Sequence, residues 1–257
     1  MIITRTPFRV SLFGGGSDYP AWYRDHGGKV LGFAINKYCY ISVRRLPPFF
    51  DHKHRIVYSV VENVNAIEEI RHPAVRAVLS EMHVRDGLEI HHDGDLPARS
   101  GIGSSSSFTV GLLHALHALN GRLRSPRELA DQAIYIEQSV IGENVGAQDQ
   151  IWAAFGGFNR IEFRTNGTYD VAPVILPKQR YRDLQAHFML FFSGISRHAS
   201  EIAGEQIANL KRRASNVRAM MSMVDEAMAI LGSPGRPIAE LGELLNEGWM
   251  LKREMAA

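Results

Sequence analysis

The sequence predicts an α+β fold: strands and helices share the first half of the 257 residues, and helices dominate the last quarter. Two observations carry this. β-rich runs recur between positions 8 and 93, helix-period apolar stripes with start signals fill 104 to 141, and 198–231 and 238–254 are helical by composition. The composition supports a real core, with 45% apolar and 22% charged residues.

The elements follow in order. "FRVSLF" alternates, with Phe8, Val10 and Leu12 on one side of a strand and Arg9 and Ser11 on the other. "KVLGFAI" and "YCYISVRRL" read as two strands separated by a turn at Asn36-Lys37, "RIVYSVV" as a further strand, and "LEIHHD" as another. Pro73 opens a helix over 73–83, since proline suits a first turn. In "LPARSGIGSSSSFTVGLLHAL", Phe108, Leu112, Leu116 and Leu119 recur at helical spacing, giving a helix over 104–119 with Ser104 or Ser105 as its cap. "SPRE" is a capping box of Ser125, Pro126 and Glu128. Its helix runs to about Ile141 on a stripe of Leu129, Ala133, Ile136 and Val140. A short helix lies within "GENVGAQDQIWAAFGGF", strands in "NRIEF" and "HFMLFFS", and helices over 198–231 and 238–254. Turn residues cluster in "RTNGTYDVAPVILPKQR", which places a domain boundary within 165–185.

Bulk properties exclude several classes. The formal net charge is +2 and no run of five Lys or Arg occurs, which argues against a nucleic-acid partner. No signal-peptide core and no apolar run of about 18 residues appear, so no membrane partner is expected. The single cysteine, Cys39, lies in a strand pattern and reads as a buried thiol; a disulfide within the chain is impossible, which suits a cytoplasmic protein.

Three polar clusters do not fit a purely structural reading. In "RTPFRVSLFGGGSDY", Arg9 interrupts an apolar strand and Gly14-Gly15-Gly16 delivers Ser17 and Asp18. The serine loop feeds a helix N-terminus, where unpaired N–H groups and the helix dipole favour an anion. Glu137 sits at the edge of a buried helix face, and Asp149 follows it by twelve residues. Together they offer a phosphate cradle, a hydroxyl and a carboxylate for Mg²⁺, a carboxylate to orient an acceptor hydroxyl, and a supporting arginine. Rival motifs are missing: there is no GxxxxGK[ST], no GxGxxG, no GxSxG, and no zinc spacing around His91-His92 or His114 and His117.

The three stretches, in this order and spacing, resemble the GHMP kinase superfamily. "TPFRVSLFGGGSDY" is similar to its first motif, "LPARSGIGSSSSFTVG" to its ATP-phosphate loop, and "IEQSVIGENVGAQDQIWAAFGGF" to the segment with a magnesium-ligand glutamate and a catalytic aspartate. The resemblance implies an N-terminal α/β sandwich like domain 2 of ribosomal protein S5 over 1–170, and a C-terminal α+β domain over 171–257 that is incomplete. It implies ATP and Mg²⁺ as cofactors. Gly101, Gly103, Ser104, Ser105 and Ser106 would bind the ATP phosphates, Ser105 and Glu137 the metal. Asp149 matches the catalytic aspartate, and Arg9 the arginine that pairs with it in galactokinases. Asp18 matches the aspartate that holds sugar hydroxyls, at the same interval of nine from Arg9.

Where galactokinases carry a Glu-His pair this chain has Gly15-Gly16, which implies a larger sugar pocket. "GGGSD", "GAQDQIWAAFGGFN" and "SGISRHA" resemble the D-glycero-D-manno-heptose 7-phosphate kinase branch. Its members phosphorylate an anomeric hydroxyl on the way to nucleotide-activated heptose for lipopolysaccharide, capsule or surface-layer glycans. Gly15, Gly16 and Ser17 would then line the sugar site, with Arg197 and His198 as candidates for the substrate's own phosphate. The implied partners are a sugar phosphate and ATP, in a monomer or homodimer. The family's third glycine-rich motif does not occur, which implies a truncated chain. Two alternatives stay open here: another sugar-1-kinase, for galactose, fucose or unphosphorylated heptose, and a catalytically silent GHMP-fold sensor of a sugar or ATP.

Overall fold

The computed structural model describes residues 1–98, 100–191, 194 and 199–255. In chain order the elements are β1 (Ile2–Phe13), α1 (Pro20–His26), β2 (Gly28–Arg45), β3 (His54–Val57), β4 (Val61–Val64), α2 (Pro73–Glu81), β5 (Leu88–Gly94), α3 (Ser104–Leu119), α4 (Pro126–Tyr135), α5 (Gln148–Phe155), β6 (Phe158–Phe163), β7 (Tyr169–Pro173), α6 (Lys178–Ala186), α7 (Ala199–Asn209), α8 (Ala214–Gly232) and α9 (Ala239–Met255). A π-helical turn, Ile136–Ile141, continues α4.

Two compact units are interleaved along the chain: residues 1–9, 34–143 and 149–156 form the first, and 10–33, 144–148 and 157–257 the second. The expected division at 170/171 is a division of sequence; the packing divides instead within β1 and β2, each of which contributes to both units.

In the first unit the strand order is β4-β3-β5-β2. β5 runs antiparallel to the second half of β2, from Cys39 opposite Gly94 to Arg45 opposite Leu88, and parallel to β3. The period-2 pattern turns Ile41, Val43, Ile56 and Ile90 inward. They pack on Val75, Val78 and Leu79 of α2 and on Leu112, Leu113 and Leu116 of α3. α4 begins with the expected capping box, Ser125 with Glu128, and Pro126 at its first position. In the second unit the first half of β2 pairs antiparallel with β6, and β6 with β7. Leu31 and Phe13 pack on Leu184 of α6, Val224, Ala227 and Ile230 of α8, and Leu241 of α9. Trp22 of α1 packs on Leu210, Val217, Met220 and Met255.

Several expectations are corrected. Asn36 and Lys37 form no turn: both are exposed residues inside one continuous β2, because neither adopts the positive φ that a tight two-residue turn requires. "RIVYSVV" is a hairpin rather than a strand, closed where Tyr58 N–H donates to Val60 O. "HFMLFFS" forms no strand over 187–191; no described strand offers its ladder, and Met189, Leu190 and Phe191 are exposed. The helix expected over 198–231 is broken at 210–213 into α7 and α8. Val140 leaves the buried stripe, since the π-turn shifts the register after Tyr135. β7, α1 and α6 had no counterpart in the sequence reading.

Candidate active site

The serine loop reaches its helix through two left-handed residues, Gly101 at φ 78° and Gly103 at φ 73°. A side chain is strained in that region, so glycine is required at both. The cap of α3 is Gly103, not Ser104 or Ser105. Ser104 to Ser107 are already helical, and no side chain caps the first-turn N–H groups. A helix start without a side-chain cap suits an anionic acceptor. Ser105 is exposed, whereas Ser106 and Ser107 are buried.

Arg9 clamps this loop. Its backbone N–H donates to Ile102 O at 3.0 Å, and its Nη1 to Gly101 O at 2.7 Å. The same guanidinium holds Asp149 with two bonds, Nε to Oδ1 at 2.7 Å and Nη2 to Oδ2 at 2.5 Å. This two-point geometry fixes the carboxylate plane, and each oxygen keeps lone-pair capacity for another donor. A Cβ on Gly103 would come within 3.1 Å of Arg9 Cγ and 3.4 Å of Asp149 Oδ2, so the loop lies directly on the ion pair.

Glu137 lies in the π-turn and is 1% exposed. Its Oε2 accepts from Ser106 Oγ at 2.9 Å and from Gln150 Nε2 at 2.5 Å. Its Oε1 is buried and has no hydrogen-bond partner. Burial pushes the carboxyl up to about 7; the hydrogen bonds from Ser106 and Gln150 pull the other way, and the Glu143 charge raises it further. An unpartnered buried carboxylate oxygen beside a serine-rich helix start fits a hard cation with oxygen ligands. No cluster of three or more His, Cys, Asp or Glu suited to a metal occurs among the described residues.

In the second unit Asp18 is also 1% exposed. Its Oδ1 accepts from Gly16 N–H at 3.0 Å, and its Oδ2 lies 3.4 Å from Gln148 N. A Cβ on Gly146 would fall 1.8 Å from Asp18 Oδ2, so only glycine lets the 144–148 segment close over this carboxylate. Ser17 is fully buried, its Oγ 2.8 Å from Gly14 O and 3.0 Å from Lys29 O, and it accepts Lys29 N–H at 3.1 Å. That hydroxyl is spent on backbone atoms and shapes the turn. Gly14 and Gly16 have positive φ, which the turn demands, whereas Gly15 does not. Arg197 and His198 lie outside the described residues.

The sequence reading missed Gln150 and the Ser106–Glu137 bond. A signal existed: "QDQIWAAF" places an amide among apolar residues at a helix start, and Gln150 is fully buried there.

Residues 65–157 match the family model of the GHMP kinases N-terminal domain. The D-glycero-alpha-D-manno-heptose 7-phosphate kinase of Campylobacter jejuni is 28% identical, over 98% of this chain and 77% of that protein. A galactokinase of Pyrococcus furiosus is 26% identical, over 90% of this chain and 60% of that protein. The crystal structure of a D-glycero-D-manno-heptose 1-phosphate kinase from Bacteroides thetaiotaomicron superposes with a TM-score of 0.79, at 23% identity, over 99% of this chain and 80% of that one. Residues 65–157 thus match the GHMP kinases N-terminal domain, and the chain carries the GHMP kinase fold.

Proposed function

We propose that this chain is a cytoplasmic, ATP-dependent sugar kinase that phosphorylates the anomeric hydroxyl of D-glycero-D-manno-heptose 7-phosphate, giving the 1,7-bisphosphate for nucleotide-activated heptose and surface glycans. One observation carries the kinase reading: Asp149, fixed at two points by Arg9, lies against the uncapped helix start at Gly103. The Campylobacter relative supports the choice of sugar.

In this reading Gly101, Gly103 and the first-turn N–H groups of Ser104 to Ser106 receive the ATP phosphates. Ser105 and Glu137 would hold Mg²⁺, which when bound would offset the negative charge of the phosphates. Ser106 and Gln150 keep Glu137 Oε2 occupied, which leaves Oε1 as the oxygen that would meet the metal. Asp18 receives sugar hydroxyls. Asp149 accepts the proton of the anomeric hydroxyl as its oxygen attacks the γ-phosphorus. The bond from that phosphorus to the β,γ-bridging oxygen breaks, and ADP leaves with the electron pair. Arg9 holds the carboxylate in the orientation that transfer needs, because phosphoryl transfer depends mainly on positioning and charge.

The galactokinase relative favours a second reading, a kinase for a neutral sugar. An ADP-release assay with MgATP separates the two, using heptose 7-phosphate, free heptose, mannose, galactose and fucose. Turnover selective for the phosphorylated heptose is expected. Turnover on a neutral sugar alone would overturn the substrate, and silence on all five would overturn the kinase.

A further inference from the structure

The three adjacent glycines of the first motif are not equivalent. Gly14 has φ 81°, and its Cβ would strike Lys29 O at 2.0 Å. Gly16 has φ 104°. Both are required by the backbone. Gly15 has neither constraint: a Cβ there would meet nothing closer than 3.6 Å, an ordinary contact. The fold tolerates a side chain at this half-buried position, yet the position is left open.

Three polar atoms surround that space. Lys252 Nζ is 3.6 Å from the position of a Gly15 Cβ, Ser11 Oγ 3.7 Å and Gln148 Nε2 3.8 Å. Ser11 Oγ donates to Gln148 Oε1 at 2.7 Å, which fixes the amide so that its NH₂ faces Gly15. An ammonium and an amide donor therefore converge on one small volume. Lys252 is an exposed residue on an anchored stretch of helix. In the last turn of α9, Asn216 Nδ2 donates to Leu251 O at 3.3 Å, Asn209 Nδ2 donates to Met255 O at 3.0 Å, and the Met255 side chain is buried. All these residues belong to the second unit, as does Asp18. A cation with neighbouring N–H donors matches an oxyanion, and a neutral hydroxyl would make little use of the ammonium.

We infer that the space over Gly15, walled by Lys252, Gln148 and Ser11, is a subsite for an anionic phosphate group on the sugar substrate, with Lys252 as the residue that discriminates phosphorylated from neutral sugars. This rests on the sugar-kinase reading and assigns its specificity to named side chains.

Isothermal calorimetry on the 257-residue chain tests it, with heptose 7-phosphate and free heptose as ligands and with Lys252→Met, Lys252→Arg and Gly15→Ala as variants. Wild type should prefer the phosphorylated sugar. Lys252→Met should weaken its binding about tenfold or more and narrow that preference, the size expected for losing a charge-assisted bond. Lys252→Arg should restore part of it. Gly15→Ala should keep the wild-type melting temperature, because its methyl makes only ordinary contacts, and yet weaken the phosphorylated sugar. A wild type that binds both sugars equally or binds neither, or a Lys252→Met variant that keeps the full preference, would overturn the subsite. The kinase reading is read separately: a wild type that binds heptose 7-phosphate but releases no ADP from MgATP would contradict that reading and leave the subsite standing.

Discussion

Glu137 in the first unit and Asp18 in the second are equally buried carboxylates, and the chain supports them by different means. Side chains serve Glu137: Ser106 and Gln150 both donate to one oxygen, and the other is left without a partner. Backbone serves Asp18: Gly16 N–H donates to it, and Gly146 gives the 144–148 segment room to close over it. The first arrangement leaves an oxygen poised for a cation, at the cost of a carboxyl that burial makes hard to ionise. The second fixes a carboxylate through main-chain geometry, so its weak point is sterics rather than charge. The two buried acids thus differ in what supplies their donors, side chains for Glu137 and backbone for Asp18.

The comparison can be broken in three places, taken in order of expected effect. Asp149→Asn keeps one acceptor for Arg9 and removes the proton acceptor, so kcat should fall about 10²- to 10⁴-fold. MgATP affinity, measured by calorimetry, should stay within a few-fold. Near-normal turnover would remove Asp149 from the chemistry.

Glu137→Gln tests the charge side. Glu137 is raised to about 7 in the fold, so the folded chain binds more protons than the unfolded chain between the ordinary carboxylate range and about pH 7. Stability from this group is present at low pH and is lost as pH rises through about 7. Metal-free wild type should therefore lose on the order of 3 kcal/mol relative to Glu137→Gln between pH 4.5 and pH 8 in urea denaturation. Parallel pH profiles for the two proteins would contradict the account. Glu143, raised in the same direction by burial, is present in both proteins.

Gly146→Ala tests the steric side. Its methyl would fall 1.8 Å from Asp18 Oδ2, so the segment must shift. A loss of about 1–3 kcal/mol in stability is expected from overpacking, together with a raised KM for the sugar. A variant with wild-type melting temperature and wild-type KM would show that the glycine is dispensable.

Much of this was legible in the sequence because it is local. The capping box at Ser125, the proline starts at 73 and 126, and the stripes of α3 and α4 are signals carried within a few residues. The glycine-rich turn before α3 was legible too, but not that Gly101 and Gly103 are left-handed or that Gly103 is the cap. The parts that escaped are those decided at a distance. Asn36-Lys37 resembles a turn, yet β5 and β6 pair with opposite ends of one long strand and carry the backbone straight through. "HFMLFFS" has strand composition, but a strand is defined by its partner. Gln150 and Lys252 were missed because each acts through residues far away in sequence, at 137 and at 15.

The most direct test is ³¹P NMR of the product made from heptose 7-phosphate and MgATP. A second phosphomonoester resonance coupled to the anomeric proton is expected, appearing in step with ADP. Release of inorganic phosphate without that resonance, or a new phosphate on any other carbon, would contradict it.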